Sequence, residues 1–115
     1  MLSKNIVCIK RSAPKSPDYE CEYLDLVTAL ASFDYHIDLV FQDEGVRSLL
    51  VSDQESIHSK RLQSLSLFDV HDIWVDEESL KVRQLSSASL SIAAKPLSKA
   101  GLDILVEKSK WVYVL

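Results

Sequence analysis

The sequence predicts an α/β fold in which a mostly parallel sheet of five strands lies between layers of helices. Compact apolar runs alternate along the chain with segments of helical periodicity, which is typical of successive βαβ units. The apolar runs are short and rich in β-branched and aromatic residues, as buried central strands are. The length of 115 residues suits one domain. We therefore expect a single domain over residues 1–115 with the flavodoxin-like, three-layer arrangement.

Five apolar runs are the predicted strands. In chain order they are Asn5–Ile9, Ile37–Phe41, Asp72–Val75, Leu90–Ala94 and Trp111–Leu115. A Ser-rich stretch over residues 84–91 predicts a loop before the fourth strand.

The helix after the first strand has the clearest signals. Ser16 suits the N-cap, Pro17 the first helical position, and Asp18 and Glu20 complement the positive end of the helix dipole. Five apolar residues at helical spacing form the expected inward face: Tyr23, Leu26, Val27, Leu30 and Phe33.

Four further helices are predicted between the remaining strands. They are a short helix over Asp43–Leu50, a longer one over Glu55–Leu67, a brief one from Asp76 to Lys81, and a last one over Lys99–Lys108. Ile57, Leu62 and Leu65 should face inward in the second of these. Ser98 should cap the last helix, with Leu102, Leu105 and Val106 facing the sheet.

The composition excludes several functional classes. The net charge of −4 argues against direct binding of nucleic acid, which depends on clustered Lys and Arg. No apolar stretch reaches the ~18 residues of a membrane span, and we expect no signal peptide. The two cysteines make no disulfide framework, so a cytoplasmic, reducing location is expected.

The residue after the third predicted strand is the most informative position. In an open parallel sheet, groups just past the carboxyl ends of strands line the ligand crevice. Here that residue is Asp76, followed by Glu77 and Glu78. A carboxylate can accept a proton or bind a metal, but it cannot form a persulfide.

The two cysteines differ in their predicted reactivity. Cys8 lies within the first strand between apolar neighbours and is expected to be an inert buried residue. Cys21 is placed in the first turn of a helix, where the dipole favours a thiolate, so it is the weak candidate for a nucleophile. The competing interpretation is an inert thiol, since no His or second Cys is adjacent in sequence.

Metal and cofactor sites are weakly indicated. His71 lies beside Asp69 and Asp72, but no second His or Cys follows at a ligand spacing. His36 and His58 are isolated in the sequence. We therefore expect no metal.

Two further kinds of site, a phosphate-binding loop and a phosphoacceptor site, each lack a residue type that they need. The loop over residues 11–16 joins a strand to a helix, as phosphate-binding loops do, yet it has no glycine. A phosphoacceptor site at Asp76 would need acids after the first strand to bind Mg²⁺, and Lys10 and Arg11 stand there instead. No cofactor is therefore expected.

Several segments together resemble the DsrE/DsrF-like sulfur-relay family, and within it the TusC (DsrF) branch. The segments, in order along nearly the whole chain, are EYLDLVTAL at 22–30, VFQDEGVRSLL at 40–50, LSLFDVHDIWV at 65–75, Glu78–Leu80 and AKPL at 94–97.

This resemblance implies a heterohexamer with paralogous DsrE-like (TusD) and DsrH-like (TusB) subunits. Such a complex passes persulfide sulfur toward 2-thiouridine at the tRNA wobble position, and a sister complex acts in dissimilatory sulfur oxidation. The family's relay cysteine follows the third strand, and the matching position is Asp76. Three consecutive acids there would disfavour a neighbouring thiolate.

The hypothesis is therefore a non-catalytic subunit of a sulfur-relay complex. Trp74, Trp111 and Tyr113 are candidate interface anchors, and core packing is the alternative for each of them. A persulfide-accepting enzyme that uses Cys21 is the competing function. A homo-oligomeric relative with a small-molecule role unrelated to sulfur is a third possibility.

Overall fold

A computed structural model describes residues 4–50, 57–90 and 92–115, with the backbone alone for residues 17–19 and 57–59. The five strands of this part are β1 (Asn5–Lys10), β2 (His36–Phe41), β3 (Asp72–Asp76), β4 (Lys95–Leu97) and β5 (Trp111–Val114). The α-helices are α1 (Pro17–Ala31), α2 (Ile57–Gln63), α3 (Glu77–Val82) and α4 (Lys99–Lys108). Three 3₁₀ helices cover Asp43–Leu49, Leu65–Phe68 and Ser87–Ser89.

The five strands form one sheet in the order β4-β3-β2-β1-β5, and every pairing is parallel. The predicted α/β class and the mostly parallel sheet are therefore confirmed. Because the chain crosses from β4 to the far side of β1, the strand order reverses between β1 and β5. Ligand crevices of open α/β sheets form at such a reversal, outside the carboxyl ends of the strands.

Helices cover both faces of the sheet because successive strand residues point to opposite sides. In β1, Ile6 and Cys8 join the larger core with residues of α1, whereas Val7 and Ile9 join a smaller core on the other face. Leu102 and Leu105 of α4 pack against this smaller core. The three-layer arrangement follows from this alternation.

The fourth strand was predicted in the wrong place. The run over Leu90–Ala94 lies before β4: Leu90 makes an isolated antiparallel bridge to Leu50, and Ile92 and Ala94 pack partly buried against the larger core. Residues 95–97 pair with the carboxyl half of β3 instead. Pro96 is compatible with this pairing because β4 is an edge strand, where a missing backbone donor is tolerated.

Two predictions of inward-facing residues were also wrong. Phe33 is 73% exposed because α1 ends at Ala31 and a turn follows, with Asp34 in the left-handed region at φ 65°. Val106 is 38% exposed, although Leu102 and Leu105 on the same helix are partly buried as expected.

The other helix predictions were closer. The segment predicted as one helix from 55 to 67 divides into α2 and a 3₁₀ helix, with Leu62 and Leu65 buried. The predicted bounds of α4 are confirmed, and Ser98 caps it by accepting a hydrogen bond from Gly101 N at 3.0 Å. Glu55 and the side chains of Asp18, Ile57 and His58 lie outside the described residues.

Candidate functional site

Asp76 is the last residue of β3. Its Oδ2 accepts hydrogen bonds from the backbone N of Ser79 at 3.0 Å and from Ser79 Oγ at 2.5 Å, so the carboxylate caps α3. Asp76 is 7% exposed, whereas Glu77 and Glu78 are exposed. The sequence predicted a brief helix with an acidic first turn here. It did not predict that the Asp76 carboxylate would be buried as the cap of this helix.

Ser79 links this cap to the neighbouring strand. Its hydroxyl accepts a hydrogen bond at 2.8 Å from the backbone N of Asp43, two residues after the last residue of β2. The chain of hydrogen bonds from Asp43 through Ser79 to Asp76 joins two strand ends. Asp76 therefore has a structural role in this part of the crevice.

A cluster of ion pairs lies over the same region. Glu44 accepts hydrogen bonds from Arg47 Nε at 2.6 Å and from Arg83 Nε at 2.9 Å. These two hydrogen bonds hold the pKa of Glu44 below its usual value, and the bond from Arg47 has the larger effect. Sequence reasoning missed this cluster because Glu44 and Arg83 are far apart in the chain.

A buried lysine lies at the carboxyl end of β1. Lys10 is 3% exposed, and its Nζ donates to the carbonyl of Ser12 at 2.9 Å and to Ser12 Oγ at 2.8 Å. Its ammonium is also 3.4 Å from Oε1 of Glu20, while Oε2 of Glu20 accepts a hydrogen bond from Ser48 at 2.9 Å. The sequence did not predict this burial, because a Lys that follows an apolar run is ordinarily exposed.

A cleft of about 320 Å³ opens beside Lys10, where the strand order reverses. It is lined by Lys10, Ser12, Glu22, Tyr23, Leu26 and Leu115. Burial, followed by the charge of Glu20, raises the pKa of Tyr23 well above its ordinary value, so its phenol stays neutral. The wall of the cleft therefore combines apolar and polar groups.

The loop after β1 uses two of its backbone amides for hydrogen bonds within the protein. The backbone N atoms of Arg11 and Ser12 donate to the carbonyl of Leu115 at 3.0 and 3.3 Å. Arg11 Nε also pairs with Asp43 at 3.0 Å. Two of the amides that would hold a phosphate are thus already bonded within the protein.

The two thiols lie in different surroundings. Cys8 is fully buried in β1, and burial raises the pKa of its thiol to about 12, so it is protonated at neutral pH. Cys21 is partly buried and is the fifth residue of α1, so it lies just past the first turn in which the sequence places it. Because the dipole effect declines within the first turn, this position gives the thiol less support than expected.

At the amino ends of the strands, His36 is not isolated. Its Nε2 lies 2.9 Å from Oδ2 of Asp72 and 3.6 Å from Oδ1 of Asp38. His71, which the sequence placed beside Asp72, approaches Asp69 at 3.9 Å, and both of these side chains are exposed. The structure therefore groups His36, rather than His71, with Asp72.

Lys95 completes this group. Its Nζ donates to Oδ1 of Asp72 at 2.8 Å, and this bond is the main reason why the pKa of Asp72 lies below its usual value. The ammonium also lies 5.0 Å from the ring centroid of Trp74, whose Nε1 donates to Oδ1 of Asp38 at 3.0 Å.

The candidate interface aromatics separate into two kinds. Trp74 is partly buried and bonded to Asp38 within the sheet face. Trp111 and Tyr113 are 44% and 38% exposed on β5, and their neighbours Val112 and Val114 are 40% and 60% exposed. An edge strand with this much exposed apolar surface is a template for association.

In the part of the chain that the structure describes, no helix combines the length and the apolar character needed to cross a membrane.

Comparison with known proteins identifies the family. The model of the DsrE/DsrF-like family matches residues 4–115. The chain is 29% identical to the Protein TusC homolog of Pseudomonas aeruginosa, over 99% of this chain and 100% of that protein. It is 34% identical to the Protein TusC homolog of Vibrio parahaemolyticus, over 76% of this chain and 79% of that protein.

A further relative supports this assignment, and a solved structure shows the same fold. The Intracellular sulfur oxidation protein DsrF of Allochromatium vinosum is 32% identical over 76% of this chain and 68% of its own length. The crystal structure of the YchN protein from E. coli superposes with a TM-score of 0.78 at 17% identity, covering 96% of this chain and 98% of that one, which shows a shared fold. The resemblance to the TusC (DsrF) branch is therefore confirmed, and this chain belongs to the DsrE/DsrF-like family.

Proposed function

We propose that this protein is a non-catalytic, cytoplasmic subunit of a sulfur-relay complex. Its role is to hold a cysteine-bearing paralogue and to shape the shared surface along which persulfide sulfur passes toward tRNA wobble 2-thiouridine. The names of the TusC and DsrF relatives support a role in sulfur transfer. The observation that carries the non-catalytic role is the buried cap that Asp76 forms on α3.

The chemistry of a relay step explains why Asp76 supports a non-catalytic role. A receiving thiolate attacks the outer sulfur of a donor persulfide, a new persulfide forms, and the donor leaves as a thiolate. A carboxylate cannot hold sulfane sulfur in this way. We assign Asp76 to the position of the family's relay cysteine, where its bonds to Ser79 cap α3 instead.

The edge strand β5 is the proposed surface for the partner chains. We expect the DsrE-like (TusD) and DsrH-like (TusB) paralogues to assemble with this chain into a heterohexamer. All four residues of β5 are 38% to 60% exposed, and two of them are aromatic, as at the centre of many protein interfaces.

Co-purification tests the assembly. The full chain, expressed with its two paralogues, should elute with them as one complex larger than any single chain. Val114→Glu should release this chain from the complex because it places a charge on β5. Phe33→Glu changes another apolar residue that is more than half exposed, outside β5, and should leave the complex intact. A chain that remains a monomer beside both paralogues would contradict the proposed role.

A labelled persulfide tests the absence of catalysis. With ³⁵S-persulfide on the DsrE-like paralogue, the label should not move to this chain, and Cys21→Ser should leave the relay rate of the complex unchanged. Label found on Cys21 and a relay rate that falls in Cys21→Ser would instead support the persulfide-accepting enzyme. That alternative is favoured by one observation, namely that Cys21 is the cysteine with an accessible side chain.

The second candidate pathway is dissimilatory sulfur oxidation. It is favoured by the 32% identity to the DsrF protein of Allochromatium vinosum. Deletion of the gene followed by analysis of tRNA separates the pathways: loss of 2-thiouridine supports tRNA thiolation, and normal tRNA with impaired sulfur oxidation supports the alternative.

A further inference from the structure

Three possible metal ligands converge on one face of the sheet at the amino ends of β2 and β3. His36 and Asp38 are two residues apart on β2, so their side chains leave the same face. Asp72 pairs in register with Asp38 across the parallel β2–β3 ladder, which places it beside Asp38 on that face. Strand register, and not closeness in sequence, thus brings Asp72 to the pair of His36 and Asp38.

The spacing of these groups suits a small divalent ion. One ligand atom from each residue lies within 4.8 Å of the other two. Nε2 of His36 is 2.9 Å from an oxygen of Asp72 and 3.6 Å from an oxygen of Asp38. Two ligands bound tetrahedrally to Zn²⁺ at about 2.0 to 2.1 Å are about 3.3 Å apart, which lies between these two distances.

The surroundings of the cluster support this use. Asp38 is 5% exposed, and the hydrogen bond from Trp74 Nε1 fixes the orientation of its carboxylate, as outer groups do around metal ligands. The His36 side chain is 50% exposed, which leaves a path for an ion from solvent.

The charge of the cluster also favours a cation. Two carboxylates face one ammonium, that of Lys95, which lies 2.8 Å from Asp72. A neutral imidazole with two carboxylates is a ligand set for Zn²⁺ and similar transition-metal ions, whereas Mg²⁺ and Ca²⁺ select oxygen ligands alone.

We propose that His36, Asp38 and Asp72 form a binding site for a divalent transition-metal ion of the Zn²⁺ class that joins the starts of β2 and β3. The fourth coordination position faces solvent on the His36 side. Lys95 competes with the ion for Asp72 and limits the affinity. This site goes beyond the proposed sulfur-relay role, does not depend on it, and departs from the expectation of no metal that the sequence suggested.

Binding of Zn²⁺ and Co²⁺ to the purified full chain tests the site. Titration calorimetry should show one Zn²⁺ ion per chain, and Co²⁺ should give the visible absorption of a low-coordinate site. His36→Gln and Asp38→Asn should each weaken binding at least tenfold. Lys95→Met should strengthen it, because the competing ammonium is removed.

Matched controls identify the ligands. His71→Gln replaces an exposed histidine close in sequence to Asp72, and Cys21→Ser removes the accessible thiol; both should bind the ion as the unchanged protein does. Circular dichroism verifies that every variant is folded. The proposal fails if His36→Gln binds Zn²⁺ normally, if His71→Gln or Cys21→Ser abolishes binding, or if the unchanged protein gives no Co²⁺ absorption.

Discussion

The two ends of the parallel sheet hold the same kind of ion pair in opposite surroundings. At the carboxyl end of β1, the Lys10 side chain is 4% exposed beside the Glu20 carboxylate, whose side chain is 6% exposed. At the amino end of β4, the Lys95 side chain is 57% exposed beside Asp72, at 26%. Burial makes the first pair part of the core, whereas the second can exchange its partner for water or an ion.

This difference separates scaffold from adaptable surface. At the carboxyl ends, Lys10 and Asp76 are fixed by bonds to Ser12 and Ser79. At the amino ends, His36 and Lys95 both contact Asp72 and are within reach of solvent. We therefore expect substitutions at the carboxyl ends to affect stability and those at the amino ends to affect ion binding and pH response.

The largest expected effect is that of Lys10→Met. Removing the cation beside a buried carboxylate should lower the free energy of unfolding by ~3–5 kcal/mol. Lys95→Met should cost less than ~1 kcal/mol, because exposed ion pairs contribute little. Urea denaturation of both variants measures the difference, and the double variant Lys10→Met/Glu20→Gln should recover part of the loss. Equal losses for the two lysines would remove the distinction between the sheet ends.

The second effect concerns Gly45, in the 3₁₀ helix that follows β2. A Cβ at this position would lie 1.9 Å from the carbonyl oxygen of Lys10, so the backbone of β1 would have to move. Gly45→Ala should therefore lower the free energy of unfolding by ~1–3 kcal/mol or more.

Gly101 in α4 is the matched control. Its Cβ would meet the end of the Leu97 side chain at 2.9 Å, which can shift, and Ala gains up to ~1 kcal/mol in helix propensity. Gly101→Ala should stay within ~1 kcal/mol of the unchanged protein in thermal unfolding. If Gly101→Ala lowered the free energy of unfolding as much as Gly45→Ala, the result would contradict the close approach of Gly45 to Lys10.

The third effect compares two helix caps. Asp76→Ala should cost ~2 kcal/mol, because it removes the cap of α3 and leaves the buried groups of Ser79 without this acceptor. Ser98→Ala removes the exposed cap of α4 and should cost ~1 kcal/mol. Chemical denaturation tests the order, and a larger loss for Ser98→Ala would show that burial does not decide the strength of the cap.

The smallest effect is a pH response at the amino ends. Because the pKa of Asp72 is lowered in the folded protein, its ionised form contributes stability above the ordinary carboxyl pKa of ~4, and this contribution is lost as the pH falls through the lowered value. Asp72→Asn should remove this part of the acid sensitivity.

Carboxyl titration by NMR measures the cause of that shift. Lys95→Met should return the pKa of Asp72 toward its ordinary value, since the hydrogen bond from Lys95 is the main cause. His71→Gln should change it far less, because His71 has the weakest influence among the causes. A larger change in His71→Gln would contradict the pairing in the structure.

Local signals predicted those parts of the fold that depend on nearby residues. Ser98 and the apolar spacing after it define α4 from residue 99 to residue 108, because a cap and a helical face involve neighbours within a few positions. Residues 90–94 looked like a strand by the same local criteria. Pairing with β3 selected residues 95–97, and such a choice depends on a partner that is distant in sequence.

The candidate site shows the same division. The sequence indicated position 76 from its place after an apolar run. It did not predict the burial of Asp76 or its hydrogen bonds to Ser79. Adjacency in sequence pairs His71 with Asp72, but His71 lies just before β3 and approaches Asp69 instead. His36 was called isolated although the β2–β3 register brings it to Asp72.

By itself, the sequence determined the alternation of strands and helices, the α/β class and the acidic residue that ends β3, because periodicity and residue chemistry are properties of short segments. Only the tertiary structure decided which lysine is buried, which histidine meets Asp72 and which strand is left uncovered at the edge. These outcomes depend on strand order and register, which bring together groups 30 or more positions apart, as in the pair of His36 and Asp72.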